Sequence, residues 1–306
     1  MPVPEFPLEL IQKVRCQRDA GRLEVETTRV AGVGGGLLNG TLHCATCGTK
    51  YEVADGILIL IGAQPTMHEA SARELVARDT SAVVYDQRLE AMRTREFKEE
   101  RPTLSEVGDV SGQDVIEYGC GTGRYTTHMA RTCRSVLAID FSLESLRILR
   151  SKLQTANVGL VQADCSSLQT APGAFHLAFS AQLLEHIPSA SARHQLLSHA
   201  RETLVDNGRF VCTVYHHDFR RRMRRKPVEG VHRKGAFFHY FSVREIKTDT
   251  ARHFRIERVY TLDVWVPFER RLGLTAEMAG RVSVFCQSVF PLNRFARLVL
   301  VAGRKR

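Results

Sequence analysis

The sequence predicts an α/β protein built on a mostly parallel sheet, with a small β unit ahead of it. Two observations lead to this fold class. From about residue 112 onward, short apolar runs alternate with amphipathic segments, which is typical of a parallel sheet covered by helices on both faces. Residues 1–62 instead contain many glycines and short alternating runs, which are typical of small antiparallel strands.

Residues 1–62 form the first predicted unit. Its predicted strands are LEVETTRV, GTLHC, KYEV and GILILI, and its tight turns lie at GVGGG and NGT. Residues 63–111 follow with charged, helix-favouring sequence that Pro102 ends. We therefore expect connecting helices in this second region, placed so that they cap the ligand site of the third.

Residues 112–306 form the main predicted domain, in which strands and helices alternate. Its predicted strands are DVIEYG, SVLAID, VGLVQAD, FHLAFS, GRFVCTVY, FRIERVYTLDV and FARLVLVAGRK. Its predicted helices are TGRYTTHMARTC, SLESLRILRSKLQ and SARHQLLSHARETL. A basic loop at residues 219–235 and an insert at residues 265–295 lie between the final strands, and the insert contains a predicted helix at AEMAGRVSVFCQSVF.

Composition and charge limit the classes of function. The chain has 306 residues, of which 43% are hydrophobic, as is normal for a globular protein with a sizeable core. The apolar run from Ile57 to Ile61 is far shorter than the roughly 20 residues of a membrane helix. The first residues, MPVPEFPLEL, lack the pattern of a signal peptide, so we expect a cytoplasmic location. The net charge of +10 favours an anionic partner, such as RNA, a membrane surface or an acidic substrate.

The stretch VIEYGCGTGRYT, residues 115–126, is typical of a strand that ends in glycines and continues into a helix. Gly119, Gly121 and Gly123 have the spacing G-x-G-x-G, whereas a dinucleotide-binding loop has G-x-G-x-x-G. The tighter loop lets the backbone pass close beside an uncharged ribose and an amino-acid tail. Taken alone, the loop is equally compatible with an ordinary strand-to-helix turn.

Three acidic residues strengthen the ligand interpretation. Glu117, Asp140 and Asp164 lie at the carboxyl ends of three successive predicted parallel strands. Ligands of open α/β sheets bind at that edge. Asp140 has the spacing of a residue that accepts hydrogen bonds from ribose hydroxyls, and Asp164 is placed to meet an adenine amino group.

These motifs resemble those of the class I S-adenosylmethionine-dependent methyltransferases. The resemblance covers residues 80–306 and depends on VIEYGCGTG, LAID, QAD, SAQLLEHIP and LVDNGRF. It implies a seven-stranded Rossmann-like methyltransferase sheet and S-adenosylmethionine as the cofactor. The cofactor-binding residues that it implies are Tyr85, Glu117, Gly119, Cys120, Gly121, Gly123, Asp140, Phe141, Asp164, Cys165, Gln182 and Leu183. An alternative interpretation of Tyr85 is a core residue of a connecting helix.

The sequence defines the methyl acceptor less well. Methyl transfer from a sulfonium mainly needs alignment of the nucleophile, so few residues have to carry acid-base chemistry. The segment SAQLLEH, residues 180–186, lacks the proline-aromatic motif of enzymes that methylate base amino groups and the cysteine of those that methylate pyrimidine carbon-5. If a general base is needed, His216, His217 and His239 with its neighbour Tyr240 are the candidate catalytic residues. Each histidine is equally well explained as a loop or core residue.

Two later segments bear on the substrate. The arginines of FRRRMRRKPVEGVHRKG, residues 219–235, either give solubility to a solvated lid or contact the phosphates of RNA or of a small anionic molecule. Residues 237–241, FFHYF, suit stacking on bases and equally suit a core strand edge. The insert 265–295 either roofs a pocket for an aromatic or lipid-like acceptor, or forms a packing helix or a dimer contact.

The amino-terminal unit contains a metal-binding pattern. Cys44 and Cys47 form C-x-x-C, and Cys16 with Asp19 lies upstream in the place of a second pair. Together with YEVADGILILI, the unit resembles the small zinc-ribbon proteins that activate RNA methyltransferases and the ribbon domains fused to some bacterial methyltransferases. We expect Cys16, Asp19, Cys44 and Cys47 as the ligands of a structural zinc ion, with His43 as a substitute. The alternative is a ribbon that has lost its metal, because a fourth cysteine is absent.

Together these features predict an S-adenosylmethionine-dependent methyltransferase whose acceptor is a small, partly apolar metabolite. The alternative is an RNA methyltransferase in which the ribbon and the basic loop hold the phosphate backbone. A non-catalytic module that keeps the cofactor fold and serves a partner is a third hypothesis.

Overall fold

The computed structural model describes residues 5–31, 35–63, 93–232, 235–265 and 273–306. The strands in these residues are β1 (Phe6–Pro7), β2 (Leu23–Ala31), β3 (Gly36–Cys44), β4 (Lys50–Ala54), β5 (Ile57–Ile59), β6 (Asp114–Tyr118), β7 (Ser135–Asp140), β8 (Val158–Gln162), β9 (Phe175–Ala181), β10 (Leu204–Tyr215), β11 (Glu229–Val231), β12 (Phe237–His239), β13 (Phe254–Val264) and β14 (Ala296–Lys305). The helices are α1 (Leu8–Ile11), α2 (Arg93–Arg95), α3 (Arg101–Val107), α4 (Thr126–Met129), α5 (Leu143–Lys152), α6 (Ala190–Thr203), α7 (Phe219–Met223), α8 (Val243–Ala251) and α9 (Ala276–Gln287). The shorter elements are a π-helical turn (Glu96–Glu100), which joins α2 to α3, and 3-10 turns at Ile61–Ala63, Leu184–His186 and Leu292–Phe295.

Within the described residues, one 12-stranded sheet forms in the order β1-β3-β4-β5-β8-β7-β6-β9-β10-β14-β13, with β2 paired to β3. Strands β8, β7, β6, β9 and β10 are parallel, and β14 runs antiparallel between β10 and β13. Every residue of β6 and of β8 is buried, as expected of strands covered on both faces. The seven strands from β8 to β13 form the predicted Rossmann-like methyltransferase sheet, so the predicted fold class is confirmed.

Each face of the sheet has its own hydrophobic core, because neighbouring residues of a strand point to opposite faces. On one face, Ile116 belongs to a core that includes Leu196 of α6. On the other face, Val115 belongs to a core that includes Leu149 of α5. The two cores fix the sheet between its helices, so the loops at the carboxyl edge of the strands project from a rigid base.

The amino-terminal strands extend this sheet at its edge. Strand β5 pairs in parallel with β8, with Ile57 opposite Leu160, and β4 and β3 follow in antiparallel order. Leu10 packs closely at this junction, since a Cβ added at Gly159 would lie 2.8 Å from its Cδ1 atom. The backbone hydrogen bonding is therefore continuous from the amino-terminal strands into the main sheet. Whether residues 1–62 fold as a domain of their own stays a prediction.

Side-chain caps define where five of the described helices begin, four of them with a serine or threonine cap. The side chains of Ser142, Ser189, Ser242 and Thr275 each accept a hydrogen bond from a backbone N–H in the first turn of α5, α6, α8 and α9. In α8 the capping is reciprocal, because Glu245 also accepts from the backbone N–H of Ser242. None of the described helices combines the length and the apolar content that a membrane span requires.

The predicted basic loop, residues 219–235, contains regular structure. Helix α7 begins after Asp218, whose side chain accepts from the backbone N–H of Arg221. Strand β11 then pairs with β12, with Glu229 opposite His239. Helix α7 and strand β11 therefore lie within the residues that the sequence predicts to be a loop.

Candidate functional site

The glycine-rich segment is a tight turn between β6 and α4. The backbone N–H groups of Gly119 and Cys120 both donate to the carbonyl of Ile139 on β7, at 2.8 and 2.9 Å. The φ angles of Gly119, Gly121 and Gly123 are 72°, 54° and 88°, which are left-handed values that favour glycine. The turn is thus anchored to the neighbouring strand and depends on glycine at all three positions.

The three glycines differ in what a side chain would meet. A Cβ at Gly123 would lie 2.1 Å from Cδ1 of Leu149, and one at Gly119 would lie 3.0 Å from Cδ1 of Leu183. A Cβ at Gly121 would meet no atom within 4 Å. Gly119 and Gly123 are therefore needed for packing within the protein, whereas the backbone at Gly121 faces open space that a ligand can enter.

Asp140 lies beside Gly121 at the end of β7. Its Oδ2 accepts from the backbone N–H of Gly121 at 2.8 Å, and its Oδ1 accepts from the backbone N–H of Ser142 at 2.9 Å. Because each carboxylate oxygen accepts more than one hydrogen bond, Asp140 keeps acceptor capacity for a ligand. The two amides hold the carboxylate in one orientation.

Asp164 lies two residues beyond β8 on the same edge, since Asp140 and Gln162 are paired across β7 and β8. Its Oδ1 accepts from the backbone N–H and the hydroxyl of Ser166, at 2.8 and 2.7 Å. Cys165 is buried, and the half-buried Phe141 accepts a hydrogen bond from Gln162 at its carbonyl. The structure therefore brings Asp140, Phe141 and the Asp164–Cys165 pair to neighbouring strand ends.

Glu117 lies behind the glycine turn and is 1% exposed. The hydroxyl of Thr126, at the start of α4, donates to its Oε2 at 2.6 Å. Burial raises the pKa of Glu117 to about 8, against the opposing effects of the Thr126 hydrogen bond and the charge of Arg124. In the structure, the hydrogen bond of Glu117 joins strand β6 to helix α4. A contact between Glu117 and the cofactor stays a prediction.

A buried ionic cluster, which the sequence did not predict, lies beside the turn. Arg95 Nε and Arg124 Nη1 each lie 2.6 Å from the carboxylate of Glu99. Burial alone would raise the pKa of Glu99, but the charges of Arg124 and Arg95 lower it to about 2. Glu99 therefore ties the segment 93–107 to the residue that follows the glycines. The i,i+4 spacing of Arg95 and Glu99 was the available signal in the sequence.

Gln182 connects this cluster to the end of β9. Its backbone N–H donates to the carbonyl of Thr213 at 2.8 Å, and its Oε1 accepts from Arg95 at 2.7 Å. Its Nε2 donates to Glu99. The backbone of Gln182 has a φ of 56°, which is uncommon outside glycine and is maintained here by these three contacts. Leu183 therefore lies against Gly119, and Gln182 is bonded to the ionic cluster beside the turn. That these two residues line a cofactor pocket stays a prediction.

Four aromatic rings, His186, Tyr215, Phe238 and Tyr240, form a group that we call the aromatic cluster. The ring centroids of Tyr215 and Tyr240 are 5.7 Å apart, and those of Phe238 and Tyr240 are 5.4 Å apart. His186 meets Tyr215 edge-on at 5.9 Å. Since His186 follows Gln182 closely in the chain and Tyr215 ends β10, the cluster lies at the carboxyl edge of the sheet.

The histidines predicted as candidate bases have structural partners. His216 Nδ1 bonds to the carbonyl of Ala296 at 2.9 Å, and burial lowers the pKa of His216. His217 Nε2 donates to the carbonyl of Lys226 at 3.2 Å. The two nitrogens of His239 lie 3.0 and 2.8 Å from the carboxylates of Glu229 and Glu245. Their catalytic role stays a prediction, as does that of Tyr240, the one candidate that belongs to the aromatic cluster.

The insert 265–295 contributes helix α9, which packs on the π-helical turn. A Cβ at Gly280 would lie 2.3 Å from the Cβ of Phe97. Other side chains of the insert point outward, and Phe285 and Phe290 are 68% and 69% exposed. Tyr85 lies outside the described residues, as do residues 266–272 of the insert.

The predicted metal ligands Cys16, Asp19, Cys44 and Cys47 come together in the amino-terminal region. One donor atom from each lies within 4.8 Å of the others. Cys16 Sγ and Cys47 Sγ are 3.6 Å apart, close to the roughly 3.8 Å expected for two thiolates on one tetrahedral zinc ion. The predicted substitute, His43, is instead placed with its Nε2 3.7 Å from Glu24.

The surroundings of this cysteine cluster suit thiolates. The backbone N–H groups of Thr46 and Cys47 donate to Cys44 Sγ at 3.4 and 3.5 Å. The buried Tyr51 hydroxyl lies 3.1 Å from Cys16 Sγ. Gly21 leaves room beside the cluster, because a Cβ there would lie 2.6 Å from Cys44 Sγ. The donor set and its hydrogen bonds therefore fit a zinc ion.

Comparisons with known proteins agree with this geometry. Residues 115–208 match a family model described as a methyltransferase domain. A ubiquinone biosynthesis O-methyltransferase of Albidiferax ferrireducens is 31% identical over 106 residues, which are 33% of this chain and 40% of that protein. A demethylmenaquinone methyltransferase of Lactococcus lactis is 26% identical over 121 residues, which are 38% of this chain and 47% of that protein.

A solved structure extends the comparison beyond the matched sequences. The DhpI–SAM–HEP complex superposes with a TM-score of 0.53 at 18% identity, covering 79% of this chain and all of that chain (100%). At this identity the likeness concerns the fold. The curated relatives are matched over less than half of their own length, 40% and 47%.

Proposed function

We propose that this protein is an S-adenosylmethionine-dependent methyltransferase. The observation that carries the proposal is the open space at Gly121, directly beside the oriented carboxylate of Asp140. The left-handed φ already favours glycine here, and the absence of a side chain also leaves room for a ligand to approach the backbone closely. The matched methyltransferase domain includes this turn, because it covers residues 115–208.

The residues around the turn fit the three parts of the cofactor. Asp140 would accept hydrogen bonds from the ribose hydroxyls, since a carboxylate oxygen can accept more than one. Asp164, with Cys165 and Phe141 nearby, would border the adenine. Arg95, Arg124 and Glu99 would lie by the methionine end, where the guanidinium groups would donate hydrogen bonds to an anionic carboxylate.

The chemistry needs positioning more than acid-base groups. The bound cofactor supplies a methyl group on a sulfonium, which is already activated toward attack. The protein then has to hold the acceptor in line with that methyl group and keep water out. The cap formed by residues 93–107 and Gln182 closes one side of the site, and the aromatic cluster borders another.

We propose that the acceptor is a small, partly apolar molecule. Rings of Tyr215, Phe238 and Tyr240 offer flat apolar surfaces at the carboxyl edge of the sheet, with Arg221 3.7 Å above the Tyr240 ring. The two named relatives bear the names of quinone-pathway methyltransferases, which supports an aromatic acceptor. Of the four predicted catalytic side chains, Tyr240 belongs to this surface.

We also propose that Cys16, Asp19, Cys44 and Cys47 bind a structural zinc ion. Three thiolates and one carboxylate complete a tetrahedral coordination shell. The ion would join the loop of Cys16 to the turn of Cys44 and Cys47. In this way it would stiffen the strands that extend the main sheet through β5.

Labelled S-adenosylmethionine tests the function and the acceptor class together. The purified protein is added to a cell lysate with cofactor labelled in the methyl group, and RNA, protein and small molecules are then separated. We expect label in the small-molecule fraction, and none above background with Gly121→Arg, which fills the open space. Label in RNA would favour the alternative of an RNA methyltransferase, and no label in any fraction would contradict the proposed activity.

A further inference from the structure

We propose that a cavity beside the aromatic cluster binds an organic anion, either a phosphate or a carboxylate. The cavity has a volume of about 790 Å³ and lies between the end of β10, the start of α8, strand β13 and the 3-10 turn Leu292–Phe295. Its described lining includes Arg222, Arg244 and Arg294 together with His216 and His217. None of the lining residues in the described part of the chain is acidic.

The three arginines come from separate elements and converge on one space. Arg222 belongs to α7, Arg244 to the first turn of α8 and Arg294 to the 3-10 turn. All three side chains are exposed at the rim of the cavity, where like charges repel one another and a bound anion would offset that repulsion.

Two arginines near the cavity are paired with carboxylates, unlike the three that line it. Arg220 lies 3.1 Å from the carboxylate of Asp218, and Arg297 lies 2.6 Å from that of Asp263. Among the described residues, the three arginines of the cavity form no such pair with a carboxylate. Arginines around the cavity are therefore paired with carboxylates, whereas the three that line it keep their positive charge at its solvent-exposed rim.

Gln287 gives a second, independent indication of a ligand. Its side chain lines the cavity from the end of α9, and its Nε2 atom is buried without a hydrogen-bond acceptor among the described residues. A buried donor that lacks an acceptor costs free energy. An anionic oxygen in the cavity would supply the missing acceptor.

The remaining residues that line the cavity indicate the chemistry of the rest of the ligand. Val243, Val259 and Tyr260 offer apolar surface, and the volume is in the range of small-molecule sites. His216 directly follows Tyr215 of the aromatic cluster, so the cavity adjoins the proposed acceptor surface. The anion is thus carried either by the acceptor itself or by a separate small effector.

Binding of inorganic phosphate to the full chain tests the cavity without relying on methyl transfer. Calorimetric titrations at constant ionic strength would compare the wild type with Arg244→Gln/Arg294→Gln and with Arg255→Gln/Arg281→Gln. Arg255 and Arg281 are 65% and 80% exposed and lie outside the cavity, so their double variant is a control for the loss of two charges. Unfolding midpoints of all variants would confirm that they fold.

We expect saturable binding that weakens about tenfold or more in Arg244→Gln/Arg294→Gln and less than about twofold in the control. Equal binding by all three proteins would mean that phosphate does not bind at the cavity arginines, and equal weakening in both variants would mean that it responds only to net charge. Either result would overturn the proposal. Absence of saturable binding to the wild type would overturn it as well. Neither result would bear on the proposed methyltransferase activity, which the labelling experiment tests.

The labelled product then distinguishes the two sources of the anion. If the acceptor carries it, the product is retained by an anion exchanger and inorganic phosphate suppresses labelling. If a separate effector carries it, the product is not retained, and phosphate changes the rate without competing with the acceptor. Both results support an anion site and assign its occupant.

Discussion

The backbone N–H of Gly121 donates a hydrogen bond to Oδ2 of Asp140 at 2.8 Å. This bond links the glycine turn after β6 to the end of β7, at the point where the turn opens to solvent. The bond aligns a carboxylate with a backbone surface that has no side chain. In the proposed site, the same contact would orient the carboxylate that recognises the ligand and leave the backbone open to its approach. This contact is the basis of the proposed cofactor site.

Replacement of Asp140 by asparagine tests the ribose contact. An asparagine has one carbonyl oxygen, so it cannot accept from Gly121 and Ser142 on separate oxygens as Asp140 does. We expect Asp140→Asn to weaken S-adenosylhomocysteine binding about 10- to 100-fold in calorimetric titrations. The exposed Asp206→Asn is the matched control and should bind as the wild type does. Equal affinities of the two variants would remove Asp140 from the site.

Alanine at Gly121 and at Gly123 should have different effects. At Gly121 the methyl group meets open space and only the left-handed backbone is unfavourable, so we expect a loss of about 1 kcal/mol in unfolding free energy. Cofactor affinity should nevertheless fall strongly. At Gly123 the methyl group overlaps the buried Leu149, so we expect a loss of about 3 kcal/mol or more. Urea unfolding and ligand titration on both variants check this, and similar stabilities would contradict the assigned roles.

The buried Glu117 should make stability depend on pH. Its pKa is raised from 4.5 to about 8 by burial, so between these values the folded protein keeps a proton that the unfolded chain has lost. Stability contributed by Glu117 is therefore present below about pH 4.5 and falls as pH rises toward 8. In Glu117→Gln this dependence is absent, and its stability relative to the wild type should improve by at least about 2 kcal/mol from pH 5 to pH 8.5.

Urea unfolding without cofactor at the two pH values measures this effect of Glu117. Glu52→Gln serves as the control, because its side chain is exposed on strand β4. Its unfolding free energy should follow that of the wild type at both pH values. Parallel curves for Glu117→Gln and the wild type would show that the carboxyl group is not protonated in the folded state.

Metal analysis of the purified chain tests the zinc proposal. We expect about one zinc per chain, lost in Cys44→Ser and kept in Cys286→Ser, whose cysteine lies outside the cluster. Asp19→Cys should keep the metal and resist a chelator longer than the wild type, because it restores a fourth thiolate. A folded wild-type protein without metal would mean that the cluster is held by its hydrogen bonds alone.

The sequence predicted correctly that these strand ends lie at one edge of the sheet, because strand direction determines it. Asp140 and Asp164 each follow an apolar run, and parallel strands bring their carboxyl ends to one edge whatever the rest of the chain does. The G-x-G-x-G spacing likewise depends on local φ angles, which glycine reveals directly. These features need no knowledge of which distant residues meet.

Other features depend on distant contacts that local patterns do not encode. Alternation along β5 indicates a strand but not its partner, so its parallel pairing with β8 was not predicted. Glu99 lies in the charged stretch EFKEE, which is typical of an exposed helix, and it is buried only because Arg124 meets it from another segment. The cavity arginines are likewise brought together by folding.

Titration of S-adenosylhomocysteine into the purified wild-type chain most directly tests the central claim. Calorimetry reports affinity and stoichiometry without knowledge of the acceptor. We expect one site per chain with micromolar affinity, and loss of that heat signal in Gly121→Arg. A folded wild-type chain that gives no saturable binding would contradict a cofactor site at Gly121 and Asp140.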